Sequence, residues 1–175
     1  MKLVTDAVEV ERVASLLPSR LRENGFEWRD IDRLAYDKKS DLFYFDVIDE
    51  SSLCRLPAML RHLAEERCFI WNYRSLHTKP RGRDPLAVIE VLSNDDESLI
   101  SRNLRDGADQ QASFLAVYHL TGLFGIVPES TDWLILAEPD EHAVLLAKHE
   151  IKFAKFQSLW WPQVSERLTK LGWRT

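Results

Sequence analysis

Two carboxylates and a lysine in the last third of the chain are the residues whose types and spacing could support catalysis. Asp140 follows Pro139, and Glu150 and Lys152 come further along with Ile151 between them. In a hydrolytic metal site, two carboxylates hold a divalent ion and a lysine orients or activates the attacking water. Asp140, Glu150 and Lys152 are therefore the candidate catalytic residues if the protein is an enzyme.

This set of residues resembles the PD-(D/E)xK motif of metal-dependent nucleases, over this short stretch alone. The fold of that family needs a turn between the strand that carries the Asp and the strand that carries the Glu and the Lys. Residues 141–149 contain no Gly, Pro or Asn to make such a turn. We therefore prefer the interpretation that these are solvated charges at the edges of secondary structure, and we keep the nuclease as the alternative.

The same part of the chain carries many carboxylates beside two apolar runs, Trp133–Ala137 and Ala143–Ala147. Between Glu129 and Glu150 the sole Lys or Arg is Lys148. Buried elements edged by charge of one sign are typical of a surface that attracts a partner of the opposite sign. The predicted partner-binding carboxylates are Asp132, Glu138, Asp140 and Glu141, with Asp95, Asp96 and Glu97 as a second patch.

Trp160 and Trp161 precede Pro162, and Trp160 or its neighbour is a candidate anchor for such a partner. Tryptophan is favoured at the centre of protein interfaces, which supports this interpretation. We prefer the interpretation that both rings pack a C-terminal helix, Pro162 to Gly172, onto the core, because a terminal helix must dock to stay folded.

Composition and charge restrict the function classes. The chain has 175 residues, of which 45% are hydrophobic and 29% charged, which is typical of one folded domain spanning residues 1–175. Lys and Arg number 23 against 28 Asp and Glu, giving a net charge of -5. That balance disfavours nucleic-acid binding, which depends on cations that face phosphates, and is compatible with a basic protein partner.

No segment predicts export or membrane insertion. Charged residues within Met1–Glu9 interrupt any apolar signal segment, and the longest apolar run, Phe114–Val127, contains polar residues and glycines. We expect a cytoplasmic protein without a membrane partner, in which Cys54 and Cys68 are reduced packing residues. The five histidines match no metal-ligand spacing, so no metal or cofactor is expected.

Several segments have helical patterns. Asp6 with Glu9 three residues later predicts a helix start, and Pro18 ends that helix before a short second one. Leucines at positions 53, 56, 60 and 63 predict another helix, with Pro57 in its first turn. A buried central helix is predicted over Gln110–Leu123, with its apolar positions in the core: Phe114, Leu115, Val117 and Tyr118.

Five strands are predicted, in a mixed or antiparallel sheet: Leu42–Ile48, Cys68–Tyr73, Leu86–Leu92, Trp133–Ala137 and Ala143–Ala147. The last two should form a hairpin through a turn at Pro139. The competing interpretation is one helix from Pro139 to Phe156, because proline suits the first helical position. We prefer the hairpin, which gives an α+β fold.

The arrangement of Asp132-Trp133-Leu134-Ile135-Leu136-Ala137, an acidic turn and a second apolar run resembles a pattern in small acidic bacterial immunity proteins of polymorphic or contact-dependent toxin systems. The resemblance implies a non-enzymatic protein that binds and blocks a toxin domain through its acidic face. The alternatives are the metal-dependent nuclease above and a structural or regulatory subunit, which differs from the inhibitor in its partner alone.

Overall fold

In the computed structural model, an antiparallel sheet runs through the part of the chain that the structure describes. That part comprises residues 1–4, 6–22, 27, 30–31, 33–34, 41–45, 53–72, 88–98, 100, 123–138, 142–148 and 169–170. Its helices are α1 (Ala7–Leu16), α2 (Ser19–Arg22) and α3 (Leu56–Leu63). Its strands are β1 (Lys2–Val4), β2 (Asp41–Phe45), β3 (Arg67–Asn72), β4 (Val88–Leu92), β5 (Phe124–Pro128), β6 (Trp133–Glu138), β7 (His142–Ala147) and β8 (Thr169–Lys170).

The strands pair in the order β1-β4-β3-β5-β6-β7-β2-β8, and every neighbouring pair is antiparallel. This confirms the predicted α+β class with helices packed on an antiparallel sheet. All five predicted strands are present over their described parts. The short strands β1 and β8 and the apolar strand β5 bring the sheet to eight strands within the described residues. None of the described helices is long and apolar enough to cross a membrane.

Helix α1 begins where the sequence predicts. The Asp6 side chain accepts a hydrogen bond of 2.9 Å from the Glu9 backbone N–H, which satisfies one of the unpaired donors of the first turn. Val10 and Val13 are buried under the helix, and the helix ends at Leu16, two residues before Pro18. The Asp6 cap therefore sets the start of the helix, and Pro18 sets its end.

Helix α3 follows the leucine spacing. Leu53, Leu56, Leu60 and Leu63 are all buried, and Pro57 lies in the first turn as predicted. The helix ends at Ala64, whose φ of 57° places it in the left-handed region. Its N–H donates to the Leu60 and Arg61 carbonyls, so the last turn closes on itself.

Helices cover the sheet on both faces. Along β3, Phe69 and Trp71 point to the face packed by α1, which we call the α1 face, with Val13 in the same cluster. Cys68 and Ile70 point to the opposite face, the α3 face. Because both faces are buried, the central strands are apolar at almost every position and lack the alternation of a half-exposed strand.

The β6–β7 hairpin is confirmed. Its six pairs run from Trp133 with Ala147 to Glu138 with His142. The competing helix from 139 to 156 is wrong, because His142–Ala147 is a strand. The Ala and Leu residues of β7 are good helix formers, but pairing with β6 on one side and β2 on the other outweighs that weak preference.

The predicted C-terminal helix and the predicted central helix are not found as helices in the described residues. The C-terminal helix is wrong at Thr169–Lys170, which pair with Tyr44 and Phe43 of β2 as strand β8, because strand pairing overrides a helical pattern in a short segment. Residues 110–122 of the predicted central helix, with Phe114, Leu115, Val117 and Tyr118, lie outside the described residues. The apolar residues that follow that segment form β5.

Candidate functional site

The fold divides the predicted acidic face between the two ends of the β6–β7 hairpin. Asp132 directly precedes β6 and Glu138 is its last residue. Six residues at a rise of about 3.3 Å place the two carboxyl-bearing residues roughly 20 Å apart along the strand. We call the end with Asp132 and Lys148 the open end, and the end with Glu138 and His142 the turn end.

The turn end carries most of the predicted acidic residues. The pairing of Glu138 with His142 leaves three residues, Pro139, Asp140 and Glu141, to connect the strands. Those three lie outside the described residues, and Glu138 itself is half-buried. The hairpin that they connect is buried on both faces from Trp133 to Ala137 and from Ala143 to Ala147.

The open end pairs its acid with a lysine of the same hairpin. The Lys148 ammonium nitrogen lies 3.6 Å from Asp132 Oδ1, and the two side chains are 37% and 33% exposed. The backbone N–H of Lys148 donates to the Asp132 carbonyl at 2.9 Å, and the N–H of Asp132 donates to Ser130 Oγ at 3.2 Å. The main chain of Asp132 is thus held from two sides, while its ion pair is longer than a hydrogen bond.

A notch opens beside Asp132 on the α1 face. It encloses about 20 Å³, room for about one water molecule. Thr131, which precedes Asp132, lines it with a φ of 56°, a left-handed conformation that is unusual for a β-branched residue. The remaining lining residues are Leu16, Pro18, Val127, Trp133, Leu134 and Leu146.

Glu129, at the start of the acidic segment, is the acceptor of an ion network. Its Oε1 accepts hydrogen bonds of 2.8 Å from Arg12 and from Arg67, and its Oε2 accepts one of 2.6 Å from Arg67 Nε. Arg67 also donates to Glu90 at 3.1 Å, and Arg12 also donates to Glu9. The network therefore joins helix α1 to strands β3 and β4 and to the end of β5.

The same two guanidinium groups cover an aromatic ring of the core. The Cζ atoms of Arg12 and Arg67 lie 5.3 Å and 5.8 Å from the ring centroid of Phe69, which is fully buried. Hydrogen bonding from Arg67 holds the pKa of the Glu129 carboxyl below its usual value, and the charges of Arg67 and Arg12 lower it further. Glu129 is thus a structural anion whose charge is compensated within the chain.

The second predicted patch forms the turn that follows β4. Asp95 accepts a hydrogen bond of 2.7 Å from the Leu92 N–H and pairs with the ammonium group of Met1. Asp96 accepts one of 2.9 Å from the Ser98 N–H, and Glu97 lies 3.3 Å from Arg61. The structure brings these three acids together, and each one has a partner within the protein.

The other predicted site residues lie outside the described residues: Asp140, Glu141, Glu150, Lys152 and Trp160. The described part of the segment between positions 140 and 150 includes β7, a strand without a turn. Within the part of the chain that the structure describes, no three His, Cys, Asp or Glu side chains are grouped so that they could hold a metal ion.

Comparison with known proteins gives no relative: no family model, curated protein or solved structure matches this chain. The physical description of its surface is therefore the basis for a function.

Sequence analysis missed Arg12, Arg67 and Thr131. Arg12 and Arg67 reach Glu129 across 117 and 62 residues, separations at which sequence carries no pairing signal. The spacing of Glu9 and Arg12, three residues apart on a predicted helix, was the one local sign of an ion pair. Nothing in the residue type of Thr131 indicates a left-handed conformation.

Proposed function

We propose that this protein is a non-enzymatic inhibitor that binds a basic protein partner, most concretely a cytoplasmic immunity protein that neutralises a toxin domain. The observation that carries the proposal is the turn end of the hairpin. There Glu138, Asp140 and Glu141 occupy three of four consecutive positions next to a strand pair that is buried on both faces.

The burial of the hairpin supports a binding role because it fixes the position of its end. Six paired positions join β6 to β7, and β7 also pairs with β2 while β6 pairs with β5. Binding to an element that is already ordered costs less conformational entropy than binding to a loop that must first become ordered.

The charge distribution supports a basic partner. The net charge of -5 attracts cations at long range, and Glu129 is already compensated by Arg12 and Arg67. We assign the encounter with the partner to the carboxylates at the turn end, where three acids stand within four consecutive positions. Electrostatic attraction of this kind raises association rates more than it slows dissociation.

The experiment compares two charge reversals of equal size. The partner is a basic protein domain that co-purifies with this chain, and association is followed by stopped-flow fluorescence. Glu138→Lys combined with Asp140→Lys should slow association strongly at low salt. The effect should shrink as the Debye length falls from about 30 Å at 0.01 M salt to about 10 Å at 0.1 M.

The matched control is Glu11→Lys combined with Glu66→Lys, two exposed residues outside the hairpin. Both double variants change the net charge by the same amount. A stronger slowing of association by the turn-end variant would therefore show that the partner binds at the turn end. Equal effects would place the interface elsewhere, with the Asp95–Glu97 turn as the next surface to test. Cells that express the basic domain should survive when this protein is co-expressed, and failure to protect them would rule out inhibition.

A further inference from the structure

We propose that the notch at the open end of the hairpin receives one long cationic side chain, an arginine or a lysine, from the protein partner. Its apolar stem would lie against the notch walls and its charged head at Asp132. The inference rests on the proposed function, because it describes a second contact with the same basic partner. It adds the chemistry of that contact.

The shape and the walls of the notch fit a narrow apolar stem. Leu16 and Pro18 line it from the end of α1, and Val127, Leu134 and Leu146 line it from three neighbouring strands. The notch is open to solvent and holds about 300 Å³ of empty space in all, so a stem would lie along its apolar walls and not inside a closed cavity. Arginine and lysine bury their methylene stems along such surfaces and keep the charged head in water.

Asp132 supplies the complementary charge at the same notch. Its carboxylate already holds an ammonium group, that of Lys148, at 3.6 Å with both side chains about a third exposed. This pair shows that the Asp132 carboxylate accepts a cation at this position. An arginine could form two shorter, parallel hydrogen bonds with the same carboxylate, since its donors match carboxylate geometry. Lys148 would then turn toward solvent.

The turn that carries Asp132 is ordered in advance and strained. Thr131 lines the notch with a φ of 56°, a conformation that glycine adopts without steric cost. Ser130 donates a hydrogen bond of 2.6 Å to the buried Glu65 and accepts one from the Asp132 N–H. Strain that the surrounding structure holds in place is common where a chain contacts a ligand.

The test measures binding of small capped amino acids to the protein alone by two-dimensional nitrogen–proton NMR. The probes are the N-acetyl amides of arginine, lysine and norleucine, the last of which has an unbranched stem without the charge. Arginine and lysine should shift the amide signals of Thr131, Asp132 and Trp133 with millimolar affinity. Norleucine should shift them several-fold more weakly.

Two variants with opposite expected effects make the result decisive. Asp132→Asn should weaken arginine binding about three- to fivefold, the effect of a partly exposed ion pair. Lys148→Met keeps the stem and removes the competing ammonium, so it should strengthen binding about twofold. Glu66→Gln, an exposed residue away from the notch, is the control and should leave the affinity unchanged.

The proposal is overturned if no signals near Asp132 move with up to about 50 mM arginine probe, an affinity too weak to contribute at an interface. It is also overturned if norleucine binds as well as arginine, or if neither variant changes the affinity. Because no protein partner is present, these outcomes are independent of the turn-end reversal. A notch that binds nothing leaves the inhibitor proposal intact, and a failed inhibitor leaves the notch measurement valid.

Discussion

The two ends of the β6–β7 hairpin carry acids of the same sequence segment in different surroundings. The fold brings three cations to the open end, where Arg12 and Arg67 compensate Glu129 and Lys148 lies beside Asp132. At the turn end, Glu138 adjoins two more acids in the sequence, Asp140 and Glu141. The density of carboxylates along a chain therefore does not show which of them are structural anions. Partners distant in sequence make that distinction.

The largest effect should come from the middle of the sheet, on which both ends depend. Gly125 pairs with Trp71 across β5 and β3, and a Cβ at position 125 would overlap the indole ring. Gly125→Ala should therefore lower the free energy of unfolding by about 1–3 kcal/mol, the usual cost of overpacking a core. Urea denaturation measures it.

The control is the double variant Gly125→Ala with Trp71→Leu, in which the overlapping ring is absent. The two changes together should cost less than the sum of the single costs, because they act on the same contact. Additive costs, or a Gly125→Ala protein of unchanged stability, would mean that the ring moves aside without strain.

The second prediction compares one acid from each end. Glu129→Gln leaves the guanidinium groups of Arg12 and Arg67 without their shared anion, so the free energy of unfolding should fall by about 1–2 kcal/mol, a value reduced for the partial exposure of these groups. Glu138→Gln, a change at a half-buried residue at the edge of the hairpin, should cost less, under about 1 kcal/mol. Urea denaturation in low and in high salt measures both variants, and equal losses would contradict the division of the acids into two roles.

The third prediction follows the same contrast with pH. The pKa of Glu129 is lowered from 4.5, first by the hydrogen bond from Arg67, and the pKa of Glu9 is lowered by its hydrogen bond from Arg12. A carboxyl whose pKa is lower in the folded state stabilises the protein fully above the unfolded value. That contribution disappears as the pH falls through the folded value.

The stability difference between the wild type and Glu129→Gln should therefore be constant from pH 7 to about pH 5 and should shrink below pH 4.5. Unfolding curves over that pH range measure it. A difference that stays constant down to pH 3, or that grows on acidification, would show that the Glu129 charge does not stabilise the fold.

Local signals in the sequence predicted much of the fold. The Asp6 cap, the leucine spacing of α3 and the apolar run of β6 depend on residues within a few positions of one another, and all three are found as predicted. Strand β5 was missed because Phe124–Pro128 follows directly on the apolar segment 110–123, whose pattern predicts a helix. In a sheet buried on both faces, continuous apolar sequence does not separate strand from buried helix.

The candidate site was less predictable, for a physical reason. Acid residues are visible in the sequence, but whether each one is compensated depends on cations that the fold brings from 62 and 117 residues away. The notch likewise combines the end of α1 with β5, β6 and β7, so no single segment contains its pattern. The sequence therefore indicated where carboxylates are concentrated, but not which of them the fold pairs with cations.

The smallest effect should distinguish strain from contact at the open end. Thr131 holds a φ of 56°, which glycine reaches without steric cost. Thr131→Gly should raise the free energy of unfolding by about 0.5–1 kcal/mol, the strain released less the added freedom of the unfolded chain.

Thr131→Asn, which tolerates the same backbone and keeps a polar side chain, is the matched comparison. If Thr131 forms part of the binding surface, both variants should gain stability in urea while arginine-probe affinity falls, more for Gly than for Asn. A loss of stability in both would instead mean that the native contacts of the threonine side chain outweigh its strain, and the conformation would then need no functional explanation.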